Sequence, residues 1–528
     1  MRGSVHRRIS GQSRTRRLDG AVQHALQPRY HQDQRLIAMH NHISSTSENR
    51  RRFLANAGMG LGTTALASLV LGPKFANATA PNAASEATSD IPAGCHFAPK
   101  AKRVIFLFMA GAPSQIDLFD YKPELVKQFN QPLPPSVSQG QRVTAMTRGK
   151  EQLIVPSRFG FSQQGESGMW MSDLLPHLST QVDKLCFIDS MHTESINHDP
   201  GKTAFCTGTE LPGKPSMGAW LSYGLGTLNK DLPDYIVMPS AYWSGKVNVQ
   251  ALYSRLWGSG FLPSKHQGTS FQTSGDPVLF LSNPSGIDPT IRRRMLDSLG
   301  DLNRKHFGEI GDPEIETTIA QQEMAFRMQT SVPELTDISD ESPETLAMYG
   351  EEVNNPGSYA RNCLLARRMA ERDVRFIQLF HRGWDHHSKL PANLPGQCQD
   401  VDQPTTALLK DLEQRGLLED TLVVFAGEFG RTVYGQGKLD MDTYGRDHHP
   451  RCFTALLAGG GVQGGMRHGA TDEFSYNVVA DPVHVRDLHA TMLHLLGVDH
   501  KRLTFPFQGL EQKLTGVEPA RVVKEIIA

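Results

Sequence analysis

The sequence predicts an α/β fold: a mostly parallel sheet sandwiched by helices. The first observation is a set of short, continuously apolar runs at residues 104–109, 185–189, 235–238, 278–281, 374–380, 422–426 and 453–457. Uninterrupted apolarity over so few residues marks strands covered on both faces. The second is what separates them. Helical patterns occupy residues 169–179, 217–228, 290–307, 314–329, 359–372, 404–415 and 483–496, and such alternation produces parallel strands joined by crossover helices. No internal repeat is visible.

Ahead of this pattern lie segments of different character. Residues 1–38 are predicted to be an over-extended start or a disordered basic tail. Residues 39–80 read as a signal peptide of the twin-arginine type. Arg50-Arg51-Arg52-Phe53-Leu54 precedes a weakly apolar, Ala- and Gly-rich run at 55–72, followed by small-residue sites at Ala76-Asn77-Ala78 and Ala78-Thr79-Ala80. Such leaders direct folded proteins to export, so the export machinery is an expected partner and the periplasm or exterior the expected location. Residues 81–100 read as a linker, 101–515 as the globular domain and 516–528 as a C-terminal tail. No segment of the mature chain is long and apolar enough to span a bilayer.

Beyond residue 80 the chain carries 42 basic and 52 acidic side chains. A net charge near −10 excludes nucleic-acid binding as a main function. The six cysteines, Cys95, Cys186, Cys206, Cys363, Cys398 and Cys452, show no CxxC spacing, which argues against a thiolate zinc site. Cys186 and Cys206 sit in apolar segments and read as buried thiols. Export permits disulfides, and pairing among Cys363, Cys398 and Cys452 is left open.

Ligands of open parallel sheets bind beyond the carboxyl ends of the strands, and polar residues gather at those ends. After the first strand come Gly111-Ala112-Pro113-Ser114 and then Asp117 and Asp120, one of which is a candidate metal ligand. Gly111-Ala112-Pro113-Ser114 is too short for a phosphate loop. After 185–189 comes Asn197-His198-Asp199-Pro200, with Asp199 predicted as a helix N-cap and Pro200 as the first helical residue. After 374–380 comes His381-Arg382-Gly383-Trp384-Asp385-His386-His387. Asp385 and His387, two residues apart in an extended segment, share one side, and carboxylate with imidazole suits Zn, Mn or Fe. Glu428 follows 422–426 as ligand or general base, and Arg431 is placed to hold an anion. Gly445-Arg446-Asp447-His448-His449-Pro450 offers two adjacent imidazoles that point different ways, so one of His448 and His449 binds and the other supports it. His484, Asp487, His489 and His494 read as packing or surface residues. Residues 240–275, rich in Gly, Ser and aromatics, are predicted to form a loop over the site.

Together the pieces Cys363-Leu364-Leu365-Ala366-Arg367-Arg368, Gly383-Trp384-Asp385-His386-His387, Gly427-Glu428-Phe429-Gly430-Arg431-Thr432, Gly445-Arg446-Asp447-His448-His449-Pro450 and Asp487-Leu488-His489-Ala490-Thr491 resemble an exported bacterial family, domain-of-unknown-function family 1501. That family is similar to the alkaline-phosphatase and sulfatase superfamily. The resemblance implies an alkaline-phosphatase-like sheet with metals at the strand ends. Asp385 and His387 resemble the superfamily's first Asp/His metal pair, His448 or His449 its later metal histidine, and Glu428 the Asp of its Asp-His-Gly. Two positions depart from the pattern: Phe429 replaces a second-metal histidine, and His198 stands at the nucleophile position.

The expectation is therefore an exported metal-dependent hydrolase of sulfate or phosphate esters, with a small-molecule or glycan ester as substrate. Its metal ligands are drawn from Asp117, Asp385, His387, Glu428, His448 and His449. Its catalytic groups are His198, Glu428 and Arg431, and its cofactor is a divalent ion, Zn, Mn or Ca. The alternative is a non-catalytic, metal-stabilised binding or envelope-associated protein on the same fold.

Overall fold

A computed structural model describes residues 91–242, 244, 249–272, 277–278 and 281–528. All belong to one compact unit, Asp90–Ala528. The predicted leader at 39–80, the 1–38 segment and residues 81–90 of the predicted linker lie outside the described residues.

The strands that build and border the site are β1 (Arg103–Ala110), β2 (Cys186–His192), β3 (Tyr235–Pro239), β4 (Thr269–Ser270), β5 (Phe376–Arg382), β6 (Thr421–Ala426), β7 (Gly430–Gln436), β8 (Gly445–His449), β9 (Phe453–Ala458), β10 (Met466–His468) and β11 (Val483–His484). Nine of them make one sheet in the order β10-β2-β9-β6-β1-β5-β3-β4, with β11 also paired to β2. Each pairing is parallel except the two made by β9. β7 and β8 form a separate antiparallel hairpin.

Every residue of β1 is buried, because the sheet carries a core on each face. Ile105, Leu107 and Met109 enter one core, and Val104, Phe106, Phe108 and Ala110 enter the other, the two-residue alternation of a strand. β5 and β6 divide in the same way, with Ile377, Leu379, Val423 and Phe425 on the first face and Phe376, Phe380, Leu422 and Val424 on the second. Helices cover both faces. α1 (His198–Thr207) and α2 (Met217–Leu225) cover the second. α3 (Pro289–Ile310) and α4 (Pro313–Thr336) pack against each other, and α4 reaches the first face through Met328, Val332 and Leu335. α5 (Tyr359–Glu371) and α6 (Leu390–Gln414) complete that layer, and α7 (Val485–Leu495) lies on the second face. The fold class is the expected α/β class. Among the described residues no helix is long and apolar enough to cross a membrane.

Several local expectations are corrected. Residues 169–179 are not a helix. Met169–Ser172 is a strand paired with Phe161–Gln164, with Trp170 facing out and its neighbours in, and Pro176 follows before a helical run has room to form. α6 begins at Leu390 rather than at residue 404 and carries Pro395 and Pro404 inside it. Residues 277–278 and 281 form no strand. The N-cap of α1 is Asn197, not Asp199, whose carboxylate is bound by Arg255 instead. Within the C-terminal segment 516–528, Val523 and Ile526 are fully buried, and Ile527 bridges to Val462. All six cysteines are free thiols, and Cys363, Cys398 and Cys452 are each fully buried without pairing.

Candidate metal centre

Parallel strands present their carboxyl ends on one edge of the sheet, and five chain segments meet there. β5 runs out through Gly383 and Trp384 to Asp385 and His387. β2 leads to His198 at the start of α1, and β6 leads to Glu428. Because β9 runs antiparallel, the hairpin that precedes it, β7–β8, sits at the same edge and delivers His448. The loop after β1 closes the floor. Gly111 holds φ +115, and a Cβ there would stand 2.8 Å from the Asp385 nitrogen. Only glycine allows that approach.

His198, Asp385, His387 and His448 converge so that one donor atom of each lies within 4.8 Å of the others. Asp385 Oδ1 is at the centre, 2.9 Å from His387 Nε2, 3.1 Å from His198 Nε2 and 3.5 Å from His448 Nε2. The outer nitrogen of each ring is engaged. His198 Nδ1 is 2.6 Å from Glu428 Oε1, His448 Nδ1 is 2.8 Å from the Ile196 carbonyl, and His387 Nδ1 is 2.6 Å from Gln436 Oε1. Acceptors on all three Nδ1 atoms fix the tautomer that leaves each Nε2 with its lone pair facing inward. That is how metal-binding histidines are oriented. His198 Nε2 and His448 Nε2 are buried and, among the described residues, form no hydrogen bond. Buried polar atoms without partners are rare in folded proteins, and a cation within this donor set would satisfy both. The site therefore fits a divalent metal. His198, His448 and Asp385 are nearly inaccessible, whereas the side chain of His387 is 25% exposed, which marks the open side.

The surrounding charges support this arrangement. Burial alone would raise the Asp385 carboxyl, but the Arg431 guanidinium 2.8 Å away and the three imidazoles outweigh it and hold Asp385 ionised. Burial likewise opposes charge on Glu428, yet the His198 bond and the nearby Lys202 hold it below the usual carboxylate range. Burial pushes His448 down to about 4. For His198 burial acts downward, but the neighbouring carboxylates of Glu428 and Asp385 prevail and raise it.

The remaining expected residues lie around this centre. Glu428 is behind His198, fully buried, and also accepts the Gly111 N–H at 3.0 Å. Arg431 is 1% exposed and donates to the carbonyls of Ala112, Arg446, Gly111 and Trp384 as well as to Asp385. Its guanidinium is thus committed to the protein, which gives Arg431 the task of fixing Asp385 rather than holding an external anion. Asp117 is outside the cluster: it forms a fully buried pair with Arg446 at 2.7 Å and accepts from Ser114 and Tyr444. His449 points away from the cluster, its Nε2 2.7 Å from the Tyr476 carbonyl. Asp447 accepts from Thr144 and Thr147 and so ties the hairpin down. Phe429 packs against His198 and His448, with ring centroids 5.1 and 4.9 Å apart. His484 caps α7 in a reciprocal arrangement with Asp487, and His489 bonds the Phe205 carbonyl, both structural roles. Of the predicted overlying loop, Gln250 approaches Asp385 Oδ2 at 3.5 Å and the Ala251 carbonyl accepts from the buried Lys202. Gln436, Gln250 and Lys202 were not anticipated. None stands in a motif, and only folding brings them to the site.

The family profile described as "Protein of unknown function (DUF1501)" matches residues 101–527. The chain belongs to the DUF1501 family. No curated protein matches it. Among solved structures, this DUF1501 chain is similar to a protein in the alkaline phosphatase superfamily from Vibrio parahaemolyticus, with 13% identity, TM-score 0.32, and coverage of 78% of this chain and 70% of that one. It is also similar to TAB5 alkaline phosphatase, described with Mg bound, with 11% identity, TM-score 0.30, and coverage of 75% and 98%. A sulfatase from Pseudoalteromonas sp. shows 13% identity, TM-score 0.28, and coverage of 76% and 68%. Scores this low carry no argument about the chemistry of this DUF1501 chain, which rests on its own residues.

Proposed function

We propose that the protein is an exported metal-dependent hydrolase of sulfate or phosphate esters, with its ion held by Asp385, His387, His448 and His198. The observation that carries this reading is the convergence of three imidazole Nε2 atoms and one ionised carboxylate within 4.8 Å. Three nitrogens and one oxygen suit Zn or Mn, whereas Ca takes an all-oxygen shell. A divalent ion bound there would polarise an ester oxygen and make water a nucleophile at neutral pH.

The chain's own groups orient and hold. Glu428, the Ile196 carbonyl and Gln436 each fix one imidazole, and Arg431 fixes Asp385. The ester enters past His387, the exposed ligand. His198 occupies the position where a hydroxyl nucleophile is expected. Ser195, close by in sequence, is turned to Glu210 at 2.5 Å. Hydrolysis on this reading is a direct attack by water, without a covalent ester of the protein. The twin-arginine segment supports export of the folded, loaded chain.

The test is elemental analysis of protein purified from its native compartment, together with turnover of aryl sulfates and aryl phosphates by wild type and Asp385→Ala. Near-stoichiometric metal, with turnover lost in the variant while folding is retained, is the expected result. Absence of metal overturns the reading. Metal without turnover on a broad ester panel favours the second reading, a metal-stabilised non-catalytic protein. The commitment of both Arg431 and Glu428 to the scaffold supports that alternative.

A further inference from the structure

On the first face of the sheet, β5 carries an exception to its apolar pattern. Ile377 and Leu379 enter the core there, and the next residue on the same side is His381. Its side chain is completely buried, and among the described residues neither Nδ1 nor Nε2 has a hydrogen-bond partner. Asp400 Oδ2 stands 3.5 Å from Nε2 but forms no hydrogen bond with it. A neutral imidazole always carries one donor and one acceptor, so this ring leaves both kinds of group unsatisfied. Each such group costs about 1–3 kcal/mol when nothing meets it.

His381 lines a cavity of about 870 Å3, within the range of small-molecule sites. The chemistry of the wall selects the ligand. Asp400, Glu351 and Glu352 line it, and among the described lining residues there is no Lys or Arg. Against these described wall residues a phosphate, sulfate or carboxylate would meet like charge. Planar amides from Gln399, Gln403 and Asn354 also line it, with Gln403 Nε2 already donating to the Ala347 and Met348 carbonyls and Asn354 Nδ2 to the Glu351 carbonyl, and the ring of Tyr242, 63% exposed, stands at the wall as an apolar face. An ammonium ligand suits the carboxylates but only donates, and it would leave the N–H of His381 unpaired. A hydroxyl both donates and accepts, and so satisfies whichever nitrogen it reaches. Carboxylates, amides and an aromatic face together fit a polyhydroxylated ring.

We propose that this cavity binds a neutral saccharide, with His381 as the buried hydrogen-bonding group and Tyr242 as the stacking face. The site is separate from the four metal-centre residues, and the proposal does not rest on the hydrolase reading.

The probes are glucose, galactose, fucose and N-acetylglucosamine with their β-linked di- and trisaccharides. Titration calorimetry and thermal shift on the mature chain report binding, with tetramethylammonium and inorganic phosphate as counter-probes. At least one saccharide is expected to bind wild type and to bind roughly tenfold or more weakly to His381→Phe and to Tyr242→Ala, the loss of one buried contact. Metal content is expected to be unchanged in both variants, so failure here is distinguishable from failure of the metal centre. Tyr242 is at the surface, so Tyr242→Ala carries the test if His381→Phe does not fold. The proposal is overturned if no saccharide in the panel binds, if binding survives in the folded variants, or if tetramethylammonium or phosphate occupies the cavity instead.

Discussion

Glu428 Oε1 lies 2.6 Å from His198 Nδ1, and through that contact a residue after β6 sets the aim of a ring at the start of α1. The carboxylate is fully buried and held on its other side by the Gly111 N–H. It cannot swing, and the imidazole it grips is fixed with Nε2 toward Asp385. Glu428 is a positioning residue on this geometry.

Glu428→Gln is therefore expected to weaken metal binding by about 10–100-fold, the usual effect of removing such an outer partner. The fold and the metal stoichiometry at saturating ion should persist. Competition with a coloured chelator measures the affinity. An unchanged affinity would detach Glu428 from the metal centre.

Removal of the ion is expected to lower the thermal midpoint, because the ion binds the folded chain and not the unfolded one. Dialysis against chelator followed by calorimetry reads this directly. Returning Zn or Mn should restore the midpoint in wild type but not in Asp385→Ala. Identical midpoints with and without metal would sink the assignment.

Asp117 gives a contrasting expectation. It forms with Arg446 an ion pair in which both side chains are 0% exposed. Asp117→Ala leaves the guanidinium buried without its partner, a loss of about 3–5 kcal/mol. Urea unfolding should show that loss, while the fraction that remains folded keeps its full metal content. A mild stability change with loss of metal would instead restore Asp117 to the ligand set.

Acid should unfold the protein earlier than its carboxylates alone require. Burial pushes His449 and His489 down to about 4 and His386 to about 3. In the unfolded chain each titrates near 6.5. Between those values the unfolded state binds more protons, so stability falls as pH falls from about 6.5 toward 4, by up to about 3 kcal/mol per residue. Above pH 7 these groups add no pH dependence. Denaturation midpoints across pH 4.5–8 test this, and His489→Gln, which retains a donor for the Phe205 carbonyl, should flatten the slope. A midpoint constant down to pH 4.5 would contradict it.

The fold was legible wherever apolar runs were continuous. β1, β5, β6 and β9 lie close to their predicted positions because central strands covered on both faces admit little else. Legibility failed at residues 169–179, where apolar residues at strand spacing ran into a polar turn and imitated a helical stripe. Nor did the sequence show that Val523 and Ile526, in the C-terminal segment 516–528, join the second core.

The site divides along the same line. By itself the sequence determined the sheet class and the placement of Asp385, His387, His198 and a histidine pair at strand ends, because each lies within a few residues of an apolar run. Only the tertiary structure decided between His448 and His449. The two are adjacent on β8, and pairing with β7 turns one ring inward and the other toward Tyr476. The tertiary structure also decided that Asp117 and Arg431 are scaffold. A buried charge takes its role from its nearest counter-charge, and that partner comes from a distant part of the chain, where local sequence carries no record of it.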